Sequence, residues 1–474
     1  MIRIDGPQEV KMMIRLFAMI LFCLFLNASP SLAALSAKKI AMSNGATLLL
    51  LENHSLPMVQ MELLVRAGSI LDPSPRGGLA YLTASLLEEG TETRSSKQIA
   101  DELDAIGTDF AVSPGSDYAT FSMKLLKKDL DRGAGLFSDI LLHPAFPEEE
   151  VLRGKNQLLG HLMDEKDDPE SIADKAFENA LFKEHPYHHP PEGDEASVKT
   201  ISRDDLVRFY KTAYHSNAAI LVLVGDLTES GARALFEKYF GSWKPAPSVP
   251  SKNPLPAKIG KKETILIDKD LAQTSVIFGN IGINRKNPDY YPLQVMNYIL
   301  GGGGFSSRML ANIRDNKGLV YSLDSHFYPS FETGSFKVIL QTKNSSANQA
   351  IDEALKEIRK IQADPVTPDE LQEAKDYLVG SFPLKMDTNG KLAGMLIYQE
   401  FYGLGLDYYE TYSRLIKKVT IQEVQRVARQ YLDPDHFLLV AVGKLSEANI
   451  QLTGVKLPDA LSNETEPSKN HAHH

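Results

Sequence analysis

Apolar residues along this chain fall into two alternating registers. Residues 218–223 and 437–441 are short apolar, β-branched runs that read as buried strands. Each is followed by a tight glycine turn, Val224-Gly225-Asp226-Leu227 and Val442-Gly443-Lys444-Leu445. Before each run stands a stretch with apolar residues at helical spacing, opening at Ser202 and at Thr420, which read as N-caps. A second pair of helix starts matches in the same order, Phe146-Pro147-Glu148 and Val366-Thr367-Pro368. Two matching pairs in one order predict an internal duplication. The first half opens with strands at residues 47–52 and 58–67, and helices then alternate with further strands. The pattern predicts an α+β fold of two homologous lobes, each a mostly antiparallel sheet with helices packed on one face.

The clearest break lies at residues 245–260, where Pro245, Pro247, Pro250, Pro254 and Pro256 exclude a helix or a central strand. It separates a first lobe at 36–244 from a second at 261–455, with a polar tail over 456–474. Residues 1–33 read as a secretory signal. Lys11 and Arg15 supply the charge, residues 16–26 the apolar run, and Ser31-Leu32-Ala33 the cleavage site. That run is too short to span a bilayer, and no later apolar run reaches the roughly 18 residues of a membrane span, so the expectation is an exported, periplasmic protein with no stable membrane anchor after cleavage. Met12 or Met13 is an alternative start.

Charge and cysteine usage narrow the chemistry. With 51 Lys+Arg against 61 Asp+Glu, the 474-residue chain carries a net charge of −10 and has no basic stripe for nucleic acid. The only cysteine, Cys23, lies inside the signal, so the mature chain offers no thiolate ligand, disulfide or thiol nucleophile.

The most specific segment is Gly77-Gly78-Leu79-Ala80-Tyr81-Leu82-Thr83-Ala84-Ser85-Leu86-Leu87-Glu88-Glu89-Gly90-Thr91. It resembles the metal helix of the insulinase/pitrilysin family, the inverted zincins, whose motif is H-x-x-E-H. On that register the three metal positions are Tyr81, Ala84 and Ser85. Ala84 has no donor atom, and hydroxyls are poor Zn²⁺ ligands beside imidazole or carboxylate. The family's third ligand, a glutamate, falls near residue 161, which is His161; Asp164 and Glu165 follow about one turn on. The resemblance therefore implies a degenerate site that binds no cofactor of its own. His185-Pro186-Tyr187-His188-His189-Pro190 is similar to the family's H-P-Y-x-x-P loop, which is not a ligand loop. A metal held by His185, His188 and Asp194, or by His189, is the alternative reading of that segment.

In the second half, Gly301-Gly302-Gly303-Gly304 lacks the G-K-[ST] of a phosphate loop and fits the family's glycine-rich turn ahead of a helix. Arg314 and Tyr321 match the family's R-x6-Y pair, which the resemblance assigns to binding the substrate backbone and steadying the oxyanion. The chain is similar to the non-catalytic subunit of heterodimers of the mitochondrial-processing-peptidase type. That resemblance implies a substrate-binding subunit, inactive alone, whose partners are a peptide and a homologous H-x-x-E-H subunit carrying the zinc. A stand-alone peptide-binding or chaperone-like protein is the alternative.

Overall fold

The structure, a computed structural model, describes residues 37–247, 253–450 and 455–456. The expected signal, five residues of the proline-rich break and most of the polar tail lie outside the described residues. Among the described residues no helix is long and apolar enough to cross a membrane.

Two sheets form the frame. The first contains β1 (Lys38–Ala41), β2 (Thr47–Glu52), β3 (Met58–Val65), β4 (Ala111–Pro114), β5 (Ala119–Leu126) and β6 (Ala219–Gly225), in the order β1-β2-β6-β3-β5-β4. The second contains β7 (Glu263–Asp268), β8 (Gln273–Ile281), β9 (Val320–Pro329), β10 (Gly334–Lys343), β11 (Leu438–Gly443) and β12 (Val455–Lys456), in the order β12-β7-β11-β8-β10-β9. In each lobe the last long strand inserts between the first two. It runs parallel to one (β6 with β2, β11 with β7) and antiparallel to the other (β6 with β3, β11 with β8). Five of the six places share one strand order, with the outer edge taken by the first strand in one lobe (β1) and the last in the other (β12), and this is the duplication that the repeated helix and strand pattern predicts.

The expected caps are present. Ser202 and Thr420 each accept the backbone N–H three residues on, and Asp205 and Glu423 reach back to complete capping boxes. The helix starts at Pro147 and Pro368 belong to helices Glu148–Asp164 and Pro368–Gly380, the second boxed by Thr367 and Glu370.

The packing goes beyond helices on one face. The inserted strands β6 and β11 are buried along their whole length, as a strand covered on both faces must be. Within each lobe, its own helices cover one face. Val59, Met61, Leu63, Leu221 and Leu223 enter that core in the first lobe, and Val276, Phe278, Leu439 and Ala441 in the second. The opposite face is covered by a helix from the other lobe. Helix Pro169–Phe182 lies on β8 and β11, burying Ala173, Phe177, Leu181 and Phe182 against Ile277, Leu438, Val440 and Val442. Helix Asn389–Tyr402 lies on β3 and β6. Each lobe thus completes the other's core. At the first of these junctions Lys337 of β10, 5% exposed, is held by Asp174 and Glu178 of the incoming helix. Burial pushes its ammonium down, but the two carboxylates outweigh that and hold it above the ordinary lysine value.

Phe177 is fully buried in this exchange. Truncation in Phe177→Ala is expected to lower stability by about 3–5 kcal/mol, measured by urea unfolding. A loss under about 1 kcal/mol would show that the exchanged helix carries little of the junction. Thr420→Ala, which removes one cap from an exposed helix start, is expected to cost about 1 kcal/mol in the same measurement, and no loss would discount the capping box.

Candidate functional site

The helix Leu79–Ser85 is positioned from its N-terminal end. Gly78 adopts φ 92°, a left-handed conformation open to glycine, and packs against the backbone of Glu192. The Asp72 carboxylate then accepts from Gly78 N at 2.9 Å and Ala80 N at 2.8 Å, satisfying two of the helix's free donors. Burial raises this carboxyl to about 7, against the lowering effect of those hydrogen bonds.

The helix presents no zinc donors at its motif positions. Ala84 is fully buried in the first core, and its methyl can neither bind a metal nor take a proton from water. Tyr81 packs half-buried against that core. Its phenol is raised above the ordinary value by burial and then by the nearby Glu192 and Glu165 carboxylates. Ser85, half-buried one turn from Tyr81, offers only a hydroxyl. The third-ligand register also fails. His161 is exposed on helix Glu148–Asp164, and Glu165 begins the tight turn that follows it. That turn brings Glu165 toward Tyr81, but its carboxylate is engaged by Lys175, with His161 Nε2 at 3.7 Å. This donor set does not fit a catalytic zinc, which needs three strong protein ligands and an open water position.

The histidine segment is built into the lobe junction. His185 is fully buried; its Nδ1 accepts from Tyr187 N at 3.1 Å and its Nε2 meets Glu332 of the second lobe at 2.9 Å. The Tyr187 hydroxyl donates to Asp117. His188 Nδ1 contacts His185 O at 2.9 Å, and His189 Nδ1 contacts Pro190 O at 3.0 Å. Asp194 caps helix Glu195–Thr200 through Ser197 N at 2.8 Å. The four groups of the alternative metal reading are thus spent on separate local contacts, and among the described residues no cluster of three or more His, Cys, Asp or Glu could hold a metal ion.

Sequence reasoning missed a cavity of about 340 Å³ between the lobes. Glu165, Lys175, Tyr187 and Glu192 line it from the first lobe, Tyr328 and Ser335 from the second. Its walls come from segments far apart in the chain, so no local motif announces it.

Arg314 and Tyr321 lie elsewhere. Arg314 falls near the end of the wide helical turn Leu310–Asn316, and its guanidinium sits 5.3 Å over the ring of the exposed Phe305, just after the glycine run. Tyr321 lies at the start of the edge strand β9 and is 47% exposed. It lies seven positions before Tyr328 at the cavity, about 23 Å along an extended strand. Neither Arg314 nor Tyr321 lines the cavity of its own chain. Pairing along the two sheets sets the buried Leu323 against the buried Phe110 of the first lobe, and Tyr321 falls at the irregularity in β9 two residues earlier.

Comparison with known proteins agrees with this architecture. Residues 47–195 match the insulinase (peptidase family M16) model, and residues 200–378 match the model described as the peptidase M16 inactive domain. An uncharacterized zinc protease of Rickettsia bellii is 28% identical over 71% of this chain and 81% of its own length. The non-peptidase homolog YmxG of Helicobacter pylori is 27% identical over 79% of this chain and 86% of its own. The crystal structure of a peptidase M16 inactive domain from Pseudomonas fluorescens superposes with a TM-score of 0.81 at 30% identity, covering 86% of this chain and 98% of that one. With the sheet order, the degenerate metal helix and these matches in agreement, the chain belongs to the insulinase (M16) peptidase family.

Proposed function

We propose that this chain is the non-catalytic, substrate-binding subunit of an exported, heteromeric zinc metallopeptidase, in which a homologous H-x-x-E-H subunit carries the zinc. One observation carries the reading. The two-lobed peptidase frame is kept while its metal positions hold Tyr81, Ala84 and Ser85, and the second lobe carries a half-buried Arg314 and an exposed Tyr321 at the start of its edge strand. In this reading a peptide lies extended against the second lobe. The Arg314 guanidinium and the Tyr321 phenol donate to its carbonyl oxygens, and their donation strengthens as negative charge develops on the scissile one. β9 ends its sheet, so its free backbone edge suits an added peptide strand. That the pair does not line the cavity of its own chain supports a site completed by a second subunit.

The second reading, a peptide-binding protein acting alone, draws support from the inter-lobe cavity, which one chain forms unaided. Titrating a fluorescent peptide into the isolated chain and into the mixture with an H-x-x-E-H homologue separates the two. Tight binding by the isolated chain, unchanged in the mixture, favours the stand-alone protein.

Arg314→Ala is expected to cut kcat/KM of the mixed complex at least about 100-fold while leaving thermal unfolding unchanged. Tyr321→Phe, which removes only the hydroxyl, should lower kcat more than it raises KM, because the phenol acts on the developing charge. Full peptidase activity in the Arg314→Ala complex would remove that residue from the mechanism.

A further inference from the structure

The two exchanged helices meet their sheets on unequal terms. At the second sheet the charged residue under the incoming helix, Lys337, is matched by Asp174 and Glu178. At the first sheet the charged residue is Glu62, in the middle of β3, and nothing matches it. Glu62 stands opposite Val222 of β6, as Ile277 of β8 stands opposite Val440 of β11. The sister of this carboxylate is therefore a buried isoleucine under helix Pro169–Phe182.

Above Glu62 lies helix Asn389–Tyr402, where a methyl on Gly394 would stand 3.9 Å from Glu62 Oε1. The charged and titratable neighbours on every packed element have other engagements or stand clear. On β5, Ser122 is opposite Glu62, and Lys124, two pairs further along, is exposed. Ahead of β5, Asp117 accepts from the Tyr187 hydroxyl, and Tyr118 lies against Phe401, close enough to Glu62 that this carboxylate helps raise its phenol, but without a hydrogen bond to it. Arg66, just beyond β3, stacks on Phe401 at 4.6 Å. On the helix, Lys391 pairs with Asp387 at 2.9 Å, Tyr398 contacts Arg285, and Glu400 pairs with Lys39 at 2.6 Å. β6 contributes only Val222. Among the described residues Glu62 has no hydrogen bond and no ion pair.

We infer that the docking of helix Asn389–Tyr402 on the first sheet is a pH-sensitive latch between the lobes, closed when Glu62 carries its proton and loosened when Glu62 is ionised. The helix packs over the half-buried carboxylate without supplying a donor, so ionising Glu62 in the closed form leaves a charge partly deprived of water. Burial alone raises this carboxyl from 4.5 to about 7. A carboxyl that holds its proton more tightly closed than open favours closure fully below about 4.5. That preference is lost as pH rises toward about 7 and changes no further above it. Because both exchanged helices hold the lobes together, loosening one changes access to the space between them near neutral pH.

Hydrogen exchange followed by mass spectrometry tests the latch on the full chain, with rates corrected for intrinsic pH dependence. Protection of helix Asn389–Tyr402 is expected to fall by up to about fortyfold from pH 5 to pH 7 in the native chain. Helix Pro169–Phe182, whose partner Lys337 is already paired, should not follow it. In Glu62→Gln the fall should vanish, with circular dichroism confirming the fold. Glu62→Leu, which restores the apolar character of the sister position, should be protected at every pH. A fall of equal size in Glu62→Gln, or flat protection in the native chain, would overturn the proposal.

Discussion

The structure depends on an exchange. A sheet whose inserted strand is apolar on both faces must be covered twice, and each lobe has helices of its own for only one face. The other face is closed by a helix from the opposite lobe, Pro169–Phe182 for the second sheet and Asn389–Tyr402 for the first. The cost of exposing β6 and β11 therefore falls on both lobes at once, and the junction is part of each hydrophobic core. This fixes the lobes in register and shapes the cavity between them. It also places the histidine segment, since Tyr187 follows the first exchanged helix into the same core.

Within this shared frame the lobes differ chemically. The first keeps the glycine entry and the Asp72 cap of a metal helix, yet its motif positions are filled by a methyl and hydroxyls. The second carries a half-buried guanidinium, Arg314, beside the exposed Phe305, and an exposed phenol, Tyr321. The frame is shared while the zinc-binding chemistry is absent from the motif positions.

Much of the fold was legible in the sequence because it is written locally. The N-caps at Ser202 and Thr420, the strand over residues 47–52 and the buried runs before Gly225 and Gly443 depend on residues a few positions apart. The degenerate motif was legible for the same reason, since Tyr81, Ala84 and Ser85 lie on adjacent turns of one helix. The helix exchange was not, although the unbroken apolar character of β6 and β11 implied cover on both faces; nothing local says which lobe provides it. The approach of Glu165 to Tyr81 depends on a tight turn ending helix Glu148–Asp164, which counting along an ideal helix does not foresee. The solitary Glu62 was invisible for a related reason: its partnerless state is a property of the helix above it, more than three hundred residues away.

The central claim is that this chain contributes donors to peptide hydrolysis but cannot activate water. The most direct measurement is the zinc content and peptidase activity of the isolated chain ending before the histidine-rich tail, alone and mixed with an H-x-x-E-H homologue. The account expects far less than one zinc per chain and no turnover alone, with turnover in the mixture. One tightly bound zinc per chain together with robust proteolysis by the chain alone would contradict it.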